Sequence, residues 1–195
     1  MSEENVWLVL FLFSALVVGI VSWRRGERRA RMVQAFARRW QLAVPSRSMA
    51  RGEVHGRFLS LKSYQERYRR SIRTRLMMTV GLRQAGHGWL QVTPDAALFK
   101  PRAVEDMMAI PFSTLYAVRS RPPELGLRLF SEEGDARLRL KLTEALFPLA
   151  KRGSRCRIVT DVGLTLTFDD IDLQDAELDA VAVMLIRLAE ALEAA

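Results

Sequence analysis

The sequence predicts an α+β domain held behind a membrane anchor. Three observations carry this expectation. An uncharged apolar run lies near the N-terminus, strand-like alternation fills the middle of the chain, and a leucine-striped helix closes it. Strands grouped ahead of helices, then a hairpin and a final helix, favour helices segregated to one side of an antiparallel sheet. With 195 residues the chain has room for one domain of about 150 residues plus a tether.

In chain order, residues 1–5 (MSEEN) are expected as a short extracytoplasmic tail and residues 6–23 as a transmembrane helix. Residues 24–44 follow as a basic juxtamembrane amphipathic helix, and residues 50–195 as the α+β domain. Val6 to Trp23 reads VWLVLFLFSALVVGIVSW, 18 residues without a charge. At about 1.5 Å per residue this spans roughly 27 Å, close to a hydrocarbon core of about 30 Å. Trp7 and Trp23 close its ends, where indole rings prefer the membrane interface. A cleaved signal peptide would place basic residues before the run. Here they come after it, as Arg24, Arg25, Arg28, Arg29 and Arg31. Basic flanks stay on the cytoplasmic side, so the N-terminus is expected outside and the rest of the chain inside.

The formal charge of +8 is unevenly spread. Residues 1–83 hold 17 basic and 5 acidic side chains, whereas residues 84–195 hold 13 and 17. The basicity therefore belongs to the anchored end. Beyond Trp23, Met32, Val33, Phe36 and Trp40 recur at helical steps, with Ala37 at the edge of the stripe. Arg38 and Arg39 lie among the polar positions, and Pro45 is expected to end the helix. The stripe is expected to lie on lipid or against the domain, and the arginines to set topology or to grip anionic headgroups. A second basic group, Arg67, Arg69, Arg70, Arg73 and Arg75, falls in ERYRRSIRTR. It suits a solvated face or an acidic partner. No helix-turn-helix, RNP-type aromatic strand or zinc-ligand spacing accompanies the charge, so specific nucleic-acid binding is not expected.

Within the domain, RGEVHGRFLSLKSYQ (51–65) predicts two short strands around His55 and Gly56. SIRTRLMMTVGLR (71–83) alternates cleanly, with Ile72, Thr74, Leu76, Met78, Val80 and Leu82 on the buried face. Its other face is basic, through Arg73, Arg75 and Arg83. A turn at 86–88 leads to a strand at WLQVTPD (89–95), and PFSTLYAVRS (111–120) supplies the next strand. Pro123 suits the first turn of a short helix. Residues 131–152 satisfy two patterns. Leu138, Leu140 and Leu142 alternate as in a strand, while Leu138, Leu142, Ala145, Leu146 and Leu149 keep helical spacing. Helix is preferred, capped at Ser131 and ended or kinked at Pro148. RCRIVTDVGLTLTFDD (155–170) predicts a hairpin, and a helix capped by Asp175 carries Leu178, Val181, Leu185, Leu188 and Leu192 in one stripe. That stripe packs on a sheet, or on a partner's helix in a homo-oligomer.

A strand ending in TPD (93–95), the stretch DMMAIPFSTLYAV (106–118), and VGLTLTF (162–168) ahead of an acidic leucine-rich helix occur in this order. In this the chain resembles a family of bacterial membrane-anchored α+β domains of unknown function. The resemblance implies the same fold from about residue 50 onward and a bacterial inner-membrane location. It implies no catalytic residue.

A search for chemistry finds little. The acidic run DDIDLQDAELD (169–179) lacks the glycine and the alternate oxygen ligands of a calcium loop, and acids are favoured at a helix N-terminus in any case. His55 and His87 each stand beside glycine, outside any metal-binding spacing. The single cysteine, Cys156, sits in a strand pattern and is expected as a buried apolar residue. No catalytic residue, metal or cofactor is expected. The sequence is thus taken as a membrane-tethered protein-interaction module, with an anionic-lipid clamp built on the arginines as the alternative.

Overall fold

In the computed structural model, described over residues 3–68, 71–83, 88–94, 110–111, 116–130, 136–152, 156–160, 163–169 and 173–194, Glu3–Arg39 is one unbroken helix, α1. No proline interrupts it, and a helix continues as long as its residues tolerate helical dihedrals. It ends earlier than Pro45, by a Schellman motif. Gln41 adopts a left-handed conformation (φ 53°). The Leu42 amide donates to the Ala37 carbonyl at 2.8 Å, and that of Gln41 to Arg38 at 3.4 Å. Leu42 and Ala37 are both buried, which supplies the motif's apolar contact.

The membrane span expected over residues 6–23 is not found: among the described residues no helix is long and apolar enough to cross a membrane. Apart from Trp7, the described side chains of the apolar run begin at Leu10. A span of about 20 residues opening there takes in Arg24, Arg25, Glu27, Arg28 and Arg29.

Among the described residues nine strands follow: β1 (Ala43–Ser46), β2 (Met49–Val54), β3 (Arg57–Tyr68), β4 (Ser71–Gly81), β5 (Trp89–Pro94), β6 (Ile110–Pro111), β7 (Tyr116–Arg121), β8 (Arg157–Thr160) and β9 (Gly163–Asp169). Three helices complete the fold, α2 (Pro123–Phe130), α3 (Ala136–Lys151) and α4 (Asp175–Ala194). The strands form a single antiparallel sheet in the order β1-β2-β3-β4-β9-β8-β5-β7-β6. The late β8–β9 hairpin therefore slots between β4 and β5. His55 and Gly56, both at positive φ, make the two-residue turn that joins β2 to β3.

One face of the sheet is apolar and carries the helices. Leu61 pairs with Met78, Met78 with Leu166, and Leu76 with Phe168, so one buried face runs across β3, β4 and β9. Ile158 continues it on β8 and Val92 on β5. Helix α4 lies over β4 and β9 with Leu178, Val181, Leu185, Leu188 and Leu192 buried, and α3 packs beside it. Fully burying such a side chain contributes about 1.5–3 kcal/mol. Cys156 is buried with this core. Among the described residues no helix covers the opposite face, where Lys62, Tyr64, Met77, Thr167 and Arg157 stay exposed or half-exposed.

Several local expectations need correction. Residues 136–151 form the preferred helix, but α3 runs past Pro148 to Lys151 rather than ending there. Ile72 keeps the buried-face parity of its strand but is 70% exposed. The α4 start is closed by Glu177, whose carboxylate accepts from the Gln174 amide at 2.7 Å, and not by Asp175. Arg69, Arg70, Ser131, residues 86–87 and most of DMMAIPFSTLYAV lie outside the described residues.

Candidate functional site at the junction of the long helix and the domain

The apolar stripe on the last turns of α1 is turned inward. Val33, Phe36 and Ala37 are buried in the core, and Met32 packs at its margin. The stripe thus lies against the domain. Phe36 stacks on Trp40, with ring centroids 5.9 Å apart and planes 30° from parallel. Polar groups close the contact. The Trp40 indole Nε1 donates to Asp179 Oδ1 at 2.7 Å, and Arg39 Nε donates to Asp179 Oδ2 at 2.8 Å. Arg39 Nη1 also pairs with Asp175 Oδ2 at 2.6 Å. Asp175 and Asp179 are one turn apart at the start of α4, where negative charge is favoured by the helix dipole. The basic end of one helix is therefore clasped to the acidic start of another.

Further back along α1, arginines meet the sheet. Arg29 Nη1 donates to Thr74 Oγ1 at 3.4 Å, and Arg29 Nε to its own helix at Arg25 O. Arg47, on the β1–β2 turn, pairs with Glu27 at 3.3 Å while its side chain stays 85% exposed. Trp23, Glu27, Arg29, Arg47, Ser48 and Ser63 line an open groove of about 340 Å³. Arg24, Arg25, Arg28, Arg31 and Arg38 are exposed.

The second basic group divides. Arg67 is exposed, whereas Arg75 pairs with Glu66 at 2.9 Å and lies 3.7 Å from Asp169. Arg73 is half-buried. A second groove of about 470 Å³, bordered by Arg137, Lys141, Arg187 and Glu190, separates α3 from α4.

The most buried ion pair joins the far end of α4 to β3. Arg57 Nη2 and Glu193 Oε2 are 2.6 Å apart, with side chains 3% and 14% exposed. The Arg83 amide also donates to Glu193. The Arg57 guanidinium, against the opposing effect of burial, holds the Glu193 carboxyl down at about 2. Glu193 in turn raises Arg57. Among the described residues no three His, Cys, Asp or Glu side chains gather as a metal site. His55 serves the β2–β3 turn, where its carbonyl accepts from Arg83 at 2.6 Å.

Sequence reasoning placed Phe36, Arg39 and Trp40 in a candidate surface but missed their partners. Asp175 and Asp179, spaced i and i+4 on a helix that also carries the core stripe, were a usable signal. Arg47 and Ser48 gave none, because a turn's position over a helix depends on the sheet order.

No family model matches the chain, and no curated protein matches it. Among solved structures, the crystal structure of the mycobacterial trehalose monomycolate transport factor A, TtfA, is similar, with a TM-score of 0.55. The sequences are 12% identical, and the match covers 86% of this chain and 94% of that one. At this identity the likeness is one of fold.

Proposed function

We propose that the protein is a non-catalytic adaptor, tethered to the membrane by residues 6–23 and offering the uncovered face of its sheet to another protein. The observation that carries the reading is the continuity of α1. Its first half projects with Phe11, Phe13, Leu16, Val18 and Trp23 exposed, and its last turns are buried in the domain. Solvated apolar side chains on every side of a helix are costly, and a bilayer removes the cost. Counted in full, the uncharged run of 18 residues suits a bilayer core. The arginines behind it favour the domain on the cytoplasmic side of a bacterial inner membrane.

Three measurements test this. The full chain should stay in the membrane fraction after an alkaline wash, and a reporter active only outside the cytoplasm, fused after Ala195, should stay silent. Release by the wash would refute the anchor. Cross-linking in gently solubilised membranes should trap a specific protein, and Tyr64→Ala with Lys62→Glu on the open face should abolish that product. Cross-linking that is indifferent to these changes would refute the proposed surface.

A further inference from the structure

The end of the sheet nearest the apolar half of α1 has features that an adaptor surface does not require. Thr74, held by Arg29, fixes where β4 meets the helix. From Thr74 the strand continues two residues to Ile72, about 7 Å at roughly 3.4 Å per residue. From Arg29 the helix continues six residues to Trp23, about 9 Å at roughly 1.5 Å per residue. Ile72, with Arg67 as its cross-strand partner, thus reaches about the level of Trp23. The β1–β2 turn comes to the same end, since Arg47 and Ser48 share a groove with Trp23 and Glu27.

This end therefore gathers an exposed β-branched apolar side chain, two exposed arginines from the domain, and the arginines that follow Trp23. Among the described residues its acidic members are Glu27, paired with Arg47, Glu66, paired with Arg75, and Asp169, 3.7 Å from Arg75. An exposed isoleucine amid arginines, level with an interfacial tryptophan, matches what a protein presents to an anionic bilayer.

We propose that this end of the domain is a second membrane contact. Ile72 enters the interface of an anionic phospholipid bilayer, and Arg47 and Arg67 pair with its phosphates. The proposal rests on the anchor, which holds the domain within reach of the surface. Each arginine at such a surface shifts the docked population about fivefold. A domain fixed to a rigid helix needs few such contacts.

The test uses the full chain in nanodiscs of phosphatidylcholine, alone or mixed with phosphatidylglycerol. The one native thiol is buried, so an environment-sensitive dye is placed at Leu12→Cys, Ile72→Cys or Leu140→Cys. With phosphatidylglycerol, lipid-borne nitroxide should quench the dye at positions 12 and 72 and spare it at position 140. Arg47→Glu with Arg67→Glu should abolish quenching at 72 and leave it at 12. Salt at about 1 M, where screening acts within about 3 Å, should weaken quenching at 72. Unchanged circular dichroism checks that the variants fold. If position 72 behaves like 140, or is quenched equally without anionic lipid, the second contact is refuted while quenching at 12 upholds the anchor. An unquenched dye at 12 refutes the anchor itself, and the inference with it.

Discussion

Replacing Phe36 with alanine separates two accounts of α1. If the helix is only a tether, its last turns contribute little to the domain and the substitution is mild. If those turns belong to the core, the cost is that of a buried aromatic. Phe36 is fully buried, and truncating a buried phenylalanine costs about 3–5 kcal/mol. Its stacking on Trp40 at 5.9 Å adds about 0.5–1.5 kcal/mol in favourable cases. Because Trp40 keeps its bond to Asp179, the cavity can collapse only in part. An overall loss of about 4 kcal/mol is expected, which in a chain of this length lowers Tm by roughly 8–16 °C. The assay is urea unfolding of detergent-solubilised full chain, followed by far-UV circular dichroism and by the fluorescence of Trp40 and Trp89 in a background where Trp7 and Trp23 are phenylalanine. Phe36→Ala in that background should move the midpoint of both signals together. A midpoint shift equivalent to less than about 0.5 kcal/mol, the range of a surface substitution, would refute the claim that the end of α1 is part of the core.

The other expectations concern contacts that brace the same framework. Glu193, held at about 2 in the fold against an ordinary 4.5, stabilises the folded state above about pH 5 by about 3 kcal/mol, a contribution lost as pH falls toward 2. The difference between wild type and Glu193→Gln in urea unfolding should therefore shrink by roughly half or more between neutral pH and about pH 3. A constant gap would refute the linkage. Arg57→Met alone should cost about 3–5 kcal/mol by leaving Glu193 buried and unpaired, and Glu193→Leu added to it should recover much of that loss. Asp179→Ala removes the acceptor of both Trp40 and Arg39 and should cost about 2 kcal/mol with a change in Trp40 emission; an unaltered spectrum would count against the clasp. At Gly163 an added Cβ would meet the Val80 carbonyl oxygen at 2.5 Å, so Gly163→Ala should lower Tm and raise amide exchange along β4 and β9, whereas a neutral result would refute the close approach of these strands.

What the sequence made legible was whatever depends on local periodicity. The α4 stripe, the β8–β9 hairpin and the alternation of Leu76, Met78 and Val80 each record a face that must be buried, and each is buried. Ile72 shows the limit of that signal. Its parity is right, but parity does not say which positions along a face are covered. Residues 136–151 satisfied two periods at once because Leu138 and Leu142 fit both, and the helix that forms buries both on α4. The sheet order was illegible, since inserting β8–β9 between β4 and β5 is decided by packing between segments some 80 residues apart. The candidate site divided the same way. Its α1 half was readable and Asp175 and Asp179 left a signal in their spacing, while Arg47 and Thr74 entered only through tertiary placement.

The division of the arginines gives the charge pattern a physical sense. Those facing the domain are spent on carboxylates, with Arg39 on Asp175 and Asp179, Arg57 on Glu193 and Arg75 on Glu66. The first fastens α1 to α4, the second α4 to β3, and the third β4 to β3. Arg24 and Arg25 follow the apolar run of α1, Arg47 shares a groove with Trp23, and these three and Arg67 are exposed. One residue type thus serves two purposes, separated by position along a single helix. Since α1 passes from the apolar run into the core without a break, any tilt of its first half is carried to the domain as a rigid rotation. A flexible linker would let the exposed arginines meet a membrane in any orientation. In the proposed tethered state, a continuous helix fixes which of them face it.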